Sequence, residues 1–338
     1  MSIKGNVHTH IFTKDTIPGE IYFGRHELSK GAMKIVRWIL SWVEKNGLPD
    51  DIEELISIVE KVLPLFGVDD EWKRLKQLVK MYYMSVPEIL DLYEKKILPG
   101  AGIEEMCILI PNFPGDFTHS AVDIICAAAK GREAFKVFAP LAFVERDDVF
   151  GVKYYPALEG PPDAVTDEFK KAADLNKPVS SHQSPGGVRN AKFPVSLAKK
   201  YNQPGRWMDA LEKYPIRVCL DHVGGRNAFV SWLTDGMFRP GVNWSFDNMM
   251  RSYDGIEYPG KVYFDVAFHE KQTNSDYRKA IANLTGHWNN RGMFGNDEPL
   301  SDVQGSMKEA AGWFRNVWGI DGVNSANDTY KEFLYGCK

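Results

Sequence analysis

Short apolar runs that end in polar, Gly or Pro residues recur along the chain and alternate with helix-period segments, the signature of βα units around a parallel sheet. Eight runs read as strands: Gly5 to Phe12, Met106 to Asn112, Phe135 to Phe143, Phe150 to Pro156, Pro178 to His182, Ile216 to His222, Val262 to Phe268 and Gly292 to Gly295. Between them the apolar spacing predicts helices over Phe117 to Lys130, Asp163 to Leu175, Arg206 to Tyr214, Asp276 to Thr285 and Val303 to Trp318, with Asp163 and Ser301 as N-caps and Leu98-Pro99-Gly100 as a stop. Eight strands with intervening helices predict an α/β fold, a (β/α)8 TIM barrel. An open doubly wound sheet is the alternative, but no GxGxxG follows any of the runs.

One stretch breaks this rhythm. Thr13 to about Ser85 places helical patterns at Leu28 to Val43, Ile52 to Leu63 and Trp72 to Tyr83 between the first strand and a helix from Val86 to Ile97. In a barrel this is the first βα loop, on the face where active sites sit, so a helical lid or an oligomer contact is its natural role, with added core packing as the alternative. The whole chain, 1–338, therefore reads as a single barrel domain carrying a helical insertion at 13–85.

Composition narrows the partners. At 338 residues, 44% hydrophobic and 25% charged, the chain can bury a large core. A net charge of −4 with dispersed Lys and Arg gives no reason to expect nucleic acid. No window approaches the roughly 20 apolar residues that span a bilayer, so no membrane partner is expected. The first strand begins within five residues of the N-terminus, which leaves no room for a signal segment and points to the cytoplasm. Cys107, Cys126, Cys219 and Cys337 have no CxxC spacing, and the first three lie in apolar surroundings expected to keep them as buried thiols.

The candidate chemistry sits at the ends of the strands. His8 and His10 flank Thr9 in the first run, and in an extended segment residues two apart share a face, so both imidazoles are expected to meet one point. Lys153, His182, His222 and Asp297 each close a later run. Lys153 to His182 is 29 residues and His182 to His222 is 40, one βα unit each at roughly 30 per unit; His222 to Asp297 is 75, or two units. All six then lie at the C-terminal rim, which points to a metal-dependent enzyme. Imidazoles and a carboxylate suit zinc, which can bring the pKa of a water to about 7 for attack on a carbonyl. Asp297 can bind the metal and take that water's proton, while His222 can steady the oxyanion or protonate the leaving group.

The HxH pair, Gly151-Val152-Lys153-Tyr154-Tyr155-Pro156, Pro178-Val179-Ser180-Ser181-His182, Leu220-Asp221-His222-Val223-Gly224-Gly225 and Phe294-Gly295-Asn296-Asp297-Glu298-Pro299 together resemble the amidohydrolase superfamily, nearest its amidohydrolase-2 branch of TIM-barrel hydrolases and decarboxylases. The resemblance covers nearly the whole chain apart from the insertion. It implies one divalent ion, zinc, on His8, His10, His182 and Asp297, with His222 beside it as acid/base or electrostatic partner. One departure is Asn296, where the branch usually carries Ser before the aspartate. Lys153 has two readings: in binuclear members a lysine here is carboxylated and bridges two metals, and in the mononuclear branch it stays an ammonium that can meet a substrate carboxylate. The Asp-His-Val-Gly-Gly run favours the single-metal branch.

Around the rim, Tyr154, Tyr155, Gln183, Arg189, Arg226, Asn227, His269 and Glu298 could read a small-molecule substrate, and Lys153 with Arg226 suggests an acidic one. His26, His119 and His287 have no partner in the pattern and read as structural or surface residues. The expected activity is hydrolysis of an ester, lactone or amide. Non-oxidative decarboxylation of an aromatic or unsaturated acid is the alternative, disfavoured by the Gly-x-Lys-x-x-Pro run, and a binding barrel without turnover is the third. The aromatic insertion could bury a homo-oligomer interface as readily as roof the pocket.

Overall fold

In the computed structural model the described residues are 1–24, 26, 28–49, 51–63, 69–112, 117–183, 200–224, 252–253, 256–267, 291–297 and 306–336. Eight strands follow one another in a parallel sheet: β1 Ile3–Thr9, β2 Ile103–Leu109, β3 Phe135–Ala139, β4 Gly151–Tyr154, β5 Val179–Ser181, β6 Arg217–Leu220, β7 Lys261–Asp265 and β8 Gly292–Met293. The Val7 amide donates to the Phe294 carbonyl at 2.9 Å, bringing the two ends of the sheet together. The fold is the expected (β/α)8 barrel. The strands are shorter than the apolar runs, because those runs continue past the ladder into turns. After β3, Pro140 leads into a 3-10 turn at Leu141–Phe143, and Pro156 opens a helix directly after β4.

Alternation along each strand sorts the side chains into two cores. Ile108, Val152, Tyr154, Val179, Val218, Leu220, Val262 and Phe264 face the helix layer. Their neighbours Cys107, Cys219 and Tyr263 turn into the barrel, where they join Val7, Leu109, Phe138 and Met293. The helix Ser306–Tyr335 closes the lower end of that interior with Tyr330, Phe333 and Leu334. Gly5 is what lets it approach: a Cβ there would lie 2.0 Å from the Tyr330 ring.

The insertion forms α1 Gly19–Gly24, α2 Lys30–Asn46, α3 Ile52–Val62 and α4 Asp69–Tyr83, followed by α5 Val86–Leu92. Ser29 and Asp51 cap α2 and α3 by accepting from the Ala32 and Glu53 amides, and Ser85 with Glu88 makes a reciprocal capping box on α5. Their apolar faces enclose a separate core of Ile17, Tyr22, Phe23, Ile35, Ile39, Leu55, Leu78 and Tyr82. Phe12, directly after β1, belongs to this core, so the insertion is rooted beside the two histidines.

Several helices depart from expectation. Asp163 is not an N-cap: its carboxylate accepts from the Arg206 guanidinium at 2.9 and 2.7 Å, and two 3-10 turns precede a helix of only Phe169–Asp174. Leu98-Pro99-Gly100 does not stop the helix, since Pro99 sits in the first turn of a short helix, Leu98–Ala101; Gly102, at φ 64°, ends it. The last helix runs past Trp318 to Tyr335, bending at Gly319 (φ 66°). The expected helix Asp276 to Thr285 and cap Ser301 lie outside the described residues. Cys107, Cys126 and Cys219 are buried free thiols, as expected; Cys337 lies outside. Among the described residues no helix is long and apolar enough to cross a membrane.

Candidate metal centre

β1 and β2 lose register between Asn6 and Thr9, whose partners are Met106 and Ile108. This bulge, rather than plain two-residue alternation, aims the histidines: Val7 still points into the barrel floor, yet His8 turns inward too. Buried polar groups hold the distortion. The Asn6 side-chain amide donates to Thr9 Oγ1 and Asn296 Oδ1, both at 2.7 Å, and Asn6 Oδ1 accepts from the His8 amide at 3.1 Å.

Three side chains converge above the bulge. His8 Nε2 and His10 Nε2 lie 3.5 and 3.3 Å from the same Asp297 oxygen, Oδ1, and all three residues are buried. Each imidazole is fixed from behind. His8 Nδ1 is 2.9 Å from Asp265 Oδ2, and His10 Nδ1 is 2.6 Å from the Leu109 carbonyl, so both carry their proton on Nδ1 and present an unprotonated Nε2. His8 Nε2 makes no hydrogen bond although it is buried. A zinc ion with arms of about 2.0–2.1 Å sets tetrahedral neighbours about 3.4 Å apart, which matches the two separations. These groups could hold a metal ion, and His8, His222 and Asp265 form a second, overlapping group.

His182, at the end of β5, is not part of the tight trio. It borders the site through His222, with ring centroids 5.2 Å apart, and lies against the Tyr155 ring at 4.9 Å. His222 stands over His8 at 4.6 Å, with Nε2 4.0 Å from Asp297 Oδ2. His222 and Asp297 both have left-handed backbones, φ 63° and 55°. For residues other than glycine this costs roughly 1–2 kcal/mol each, so the surrounding bonds must impose it. The Asp297 amide donates to the His8 carbonyl at 2.9 Å and the His222 amide to Asp265 Oδ1 at 3.0 Å.

Below lies a buried charged layer that was only partly legible. Lys153 Nζ contacts Asp221 Oδ2 and lies 3.3 Å from Ser180 Oγ, while the Ser180 hydroxyl reaches both Asp221 oxygens at 2.9 and 3.1 Å. Burial drives the Lys153 ammonium down, but Asp221, Tyr155 and Asp265 together more than reverse this and hold it above the ordinary lysine value. Burial pushes the Asp221 carboxyl up, and Lys153 opposes it. Burial also takes His8 and His222 well below the usual histidine value, aided by Lys153 at His8 and by His8 at His222. Both imidazoles are therefore neutral at pH 7.

Of the rim residues, Tyr155 lies under the Lys153 ammonium, 4.9 Å from its ring, and Gln183 donates to Ser181 Oγ at 2.9 Å. Tyr154 faces away from the mouth, packing on Phe169 and Trp207 with its hydroxyl on the Gly160 carbonyl. Arg189, Arg226, Asn227, His269, His287 and Glu298 lie outside the described residues. His26 is buried against Tyr22 in the insertion and His119 is exposed beside Phe143.

Sequence reasoning missed Asp265 and Asp221. Each is a lone carboxylate in an apolar run and shares the inward parity of a barrel residue, two positions after Tyr263 and Cys219. That parity was the available signal. Compared with known proteins, no family model matches this chain and no curated protein does.

Proposed function

We propose that the chain is a metal-dependent hydrolase of the amidohydrolase type, acting on an ester, lactone or amide carbonyl of a small molecule. The observation that carries this reading is the convergence of His8 Nε2, His10 Nε2 and Asp297 Oδ1 at tetrahedral-edge spacing, with His8 Nε2 buried and making no hydrogen bond. Bound there, a zinc ion would acidify a water and polarise the carbonyl, with His182, at the edge of the cluster, the further ligand that the amidohydrolase resemblance implies.

The chain's own groups supply the rest. Asp297 offers a second oxygen, Oδ2, towards His222, so it can take a proton at that atom while Oδ1 faces the histidines. His222, kept neutral by burial, can donate one N–H to a developing oxyanion or relay the proton to a leaving group. Lys153 is occupied by Asp221 and held charged, which favours the single-metal reading, because a carbamate forms only on a neutral amine. The same pairing leaves Arg226 to meet a substrate carboxylate.

Zinc-loaded protein should hydrolyse members of a panel of lactones, esters and amides, with oxygen from labelled water entering the product. Asp297→Asn should keep the fold and lower turnover by about 10²–10⁴-fold. Unchanged turnover in that variant would overturn the role given to Asp297. Stoichiometric carbon dioxide release from carboxylated aromatics, with no water incorporation, would replace hydrolysis by decarboxylation.

A further inference from the structure

Asp265 closes β7, fully buried, and divides its two oxygens between separate tasks. Oδ1 accepts the amides of His222 and Ala267, both at 3.0 Å, and Oδ2 faces His8 Nδ1 at 2.9 Å. A single carboxylate thus touches the imidazole from the bulged first strand and the backbone of the residue held in the left-handed region after β6. With Oδ1 accepting two amides and Oδ2 the acceptor facing His8, the proton between Oδ2 and His8 belongs to Nδ1, and Nε2 is left unprotonated towards Asp297. Gly295 passes close by: a Cβ there would lie 3.3 Å from Asp265 Cβ and Cγ, so a larger residue would crowd the carboxylate.

We infer that Asp265 is the positioning residue of this centre: it fixes the His8 tautomer that a metal requires and, through its other oxygen, the backbone that presents His222. Its oxygens are engaged by His8 Nδ1 and by the amides of His222 and Ala267, so it acts through His8 and His222 at the cluster they form with His10 and Asp297. The inference deepens the metal-dependent reading above and rests on it for the consequence at the metal, while the tautomer itself can be read without any ion.

The division of labour makes the test sharp. In Asp265→Asn the carbonyl oxygen is retained by the two amide donors, so the new NH2 must replace Oδ2 and donate to His8 Nδ1. The proton on His8 is then forced to Nε2, the wrong nitrogen for a ligand. Long-range proton–nitrogen NMR of the metal-free, 15N-histidine-labelled chain, with His8 assigned from the spectrum of His8→Gln, should show Nδ1 protonated in the wild type and Nε2 protonated in Asp265→Asn. Zinc affinity, measured by competition with a chromophoric chelator, should fall by about 10–100-fold in the variant, and Asp265→Glu should recover part of it. A wild-type His8 protonated on Nε2 would overturn the inference even if Asp265→Asn fails to fold, as would a variant with the wild-type tautomer and unchanged affinity. Should the tautomer invert while the wild type itself binds no zinc, the metal reading fails and the positioning role of Asp265 stands.

Discussion

Replacing Lys153 by Met removes an ammonium with little change in shape and leaves Asp221 in the barrel with the Ser180 hydroxyl as its hydrogen-bond donor, His8 Nδ1 3.9 Å away and the carboxylate of Asp265 close by. Removing one partner of a buried pair typically costs about 3–5 kcal/mol, because the remaining charge is uncompensated. Here the loss has a ceiling, since Asp221 can escape by taking a proton. Each pKa unit is worth about 1.36 kcal/mol, so keeping a carboxyl of ordinary value 3.8 neutral at pH 7 costs at most about 4.4 kcal/mol. At pH 5.5 the same ceiling is about 2.3 kcal/mol. Urea denaturation of the metal-free wild type and Lys153→Met at both pH values should therefore give a stability difference that stays below about 4.4 kcal/mol at pH 7 and shrinks to below about 2.3 kcal/mol at pH 5.5. A difference that does not change with pH, or grows on acidification, would refute the buried ion pair.

Other outcomes follow from the same centre. Metal counting on purified protein should give one ion per chain with or without bicarbonate; two ions and a lysine carbamate would show that Lys153 is not held as an ammonium. In metal-free protein, His8 and His222 have folded pKa values below the ordinary 6.5, so the stability they contribute is complete above that pH and is lost as pH falls through it, by up to about 2.7 kcal/mol per pH unit for the pair. Flat stability between pH 7 and 5 contradicts this. Gly295→Ala places a methyl 3.0 Å from His8 Cβ and 3.3 Å from the Asp265 side chain, which should cost about 1–3 kcal/mol and weaken zinc binding together; an unchanged melting temperature would mean the approach is not tight.

The barrel was legible because each strand must carry an apolar face to the helices, and runs such as Val179–Ser181 and Arg217–Leu220 keep that pattern even where they are short. Where they end was less legible. Apolar residues beyond the ladder, such as Leu141 and Phe143, turn out of it after a proline that composition alone does not distinguish from a strand residue. The same limit applied at the site. His8, His10 and Asp297 came from spacing, but the bulge that aims them depends on Asn6 meeting Asn296 across 290 residues, a contact no local pattern encodes. Lys153 was visible as a charge closing a run, whereas its commitment to Asp221 required knowing that β4 and β6 both flank β5.

The plug of Tyr330, Phe333 and Leu334 beneath the barrel has a kinetic consequence. Among the described residues that end is stoppered by Tyr330, Phe333 and Leu334, so a molecule reaching the His8–Asp297 cluster comes in, and goes out, on the rim side. Under the proposed hydrolysis, departing product and arriving substrate would share one vestibule, so product should act as a competitive inhibitor and turnover should depend on how quickly that vestibule clears.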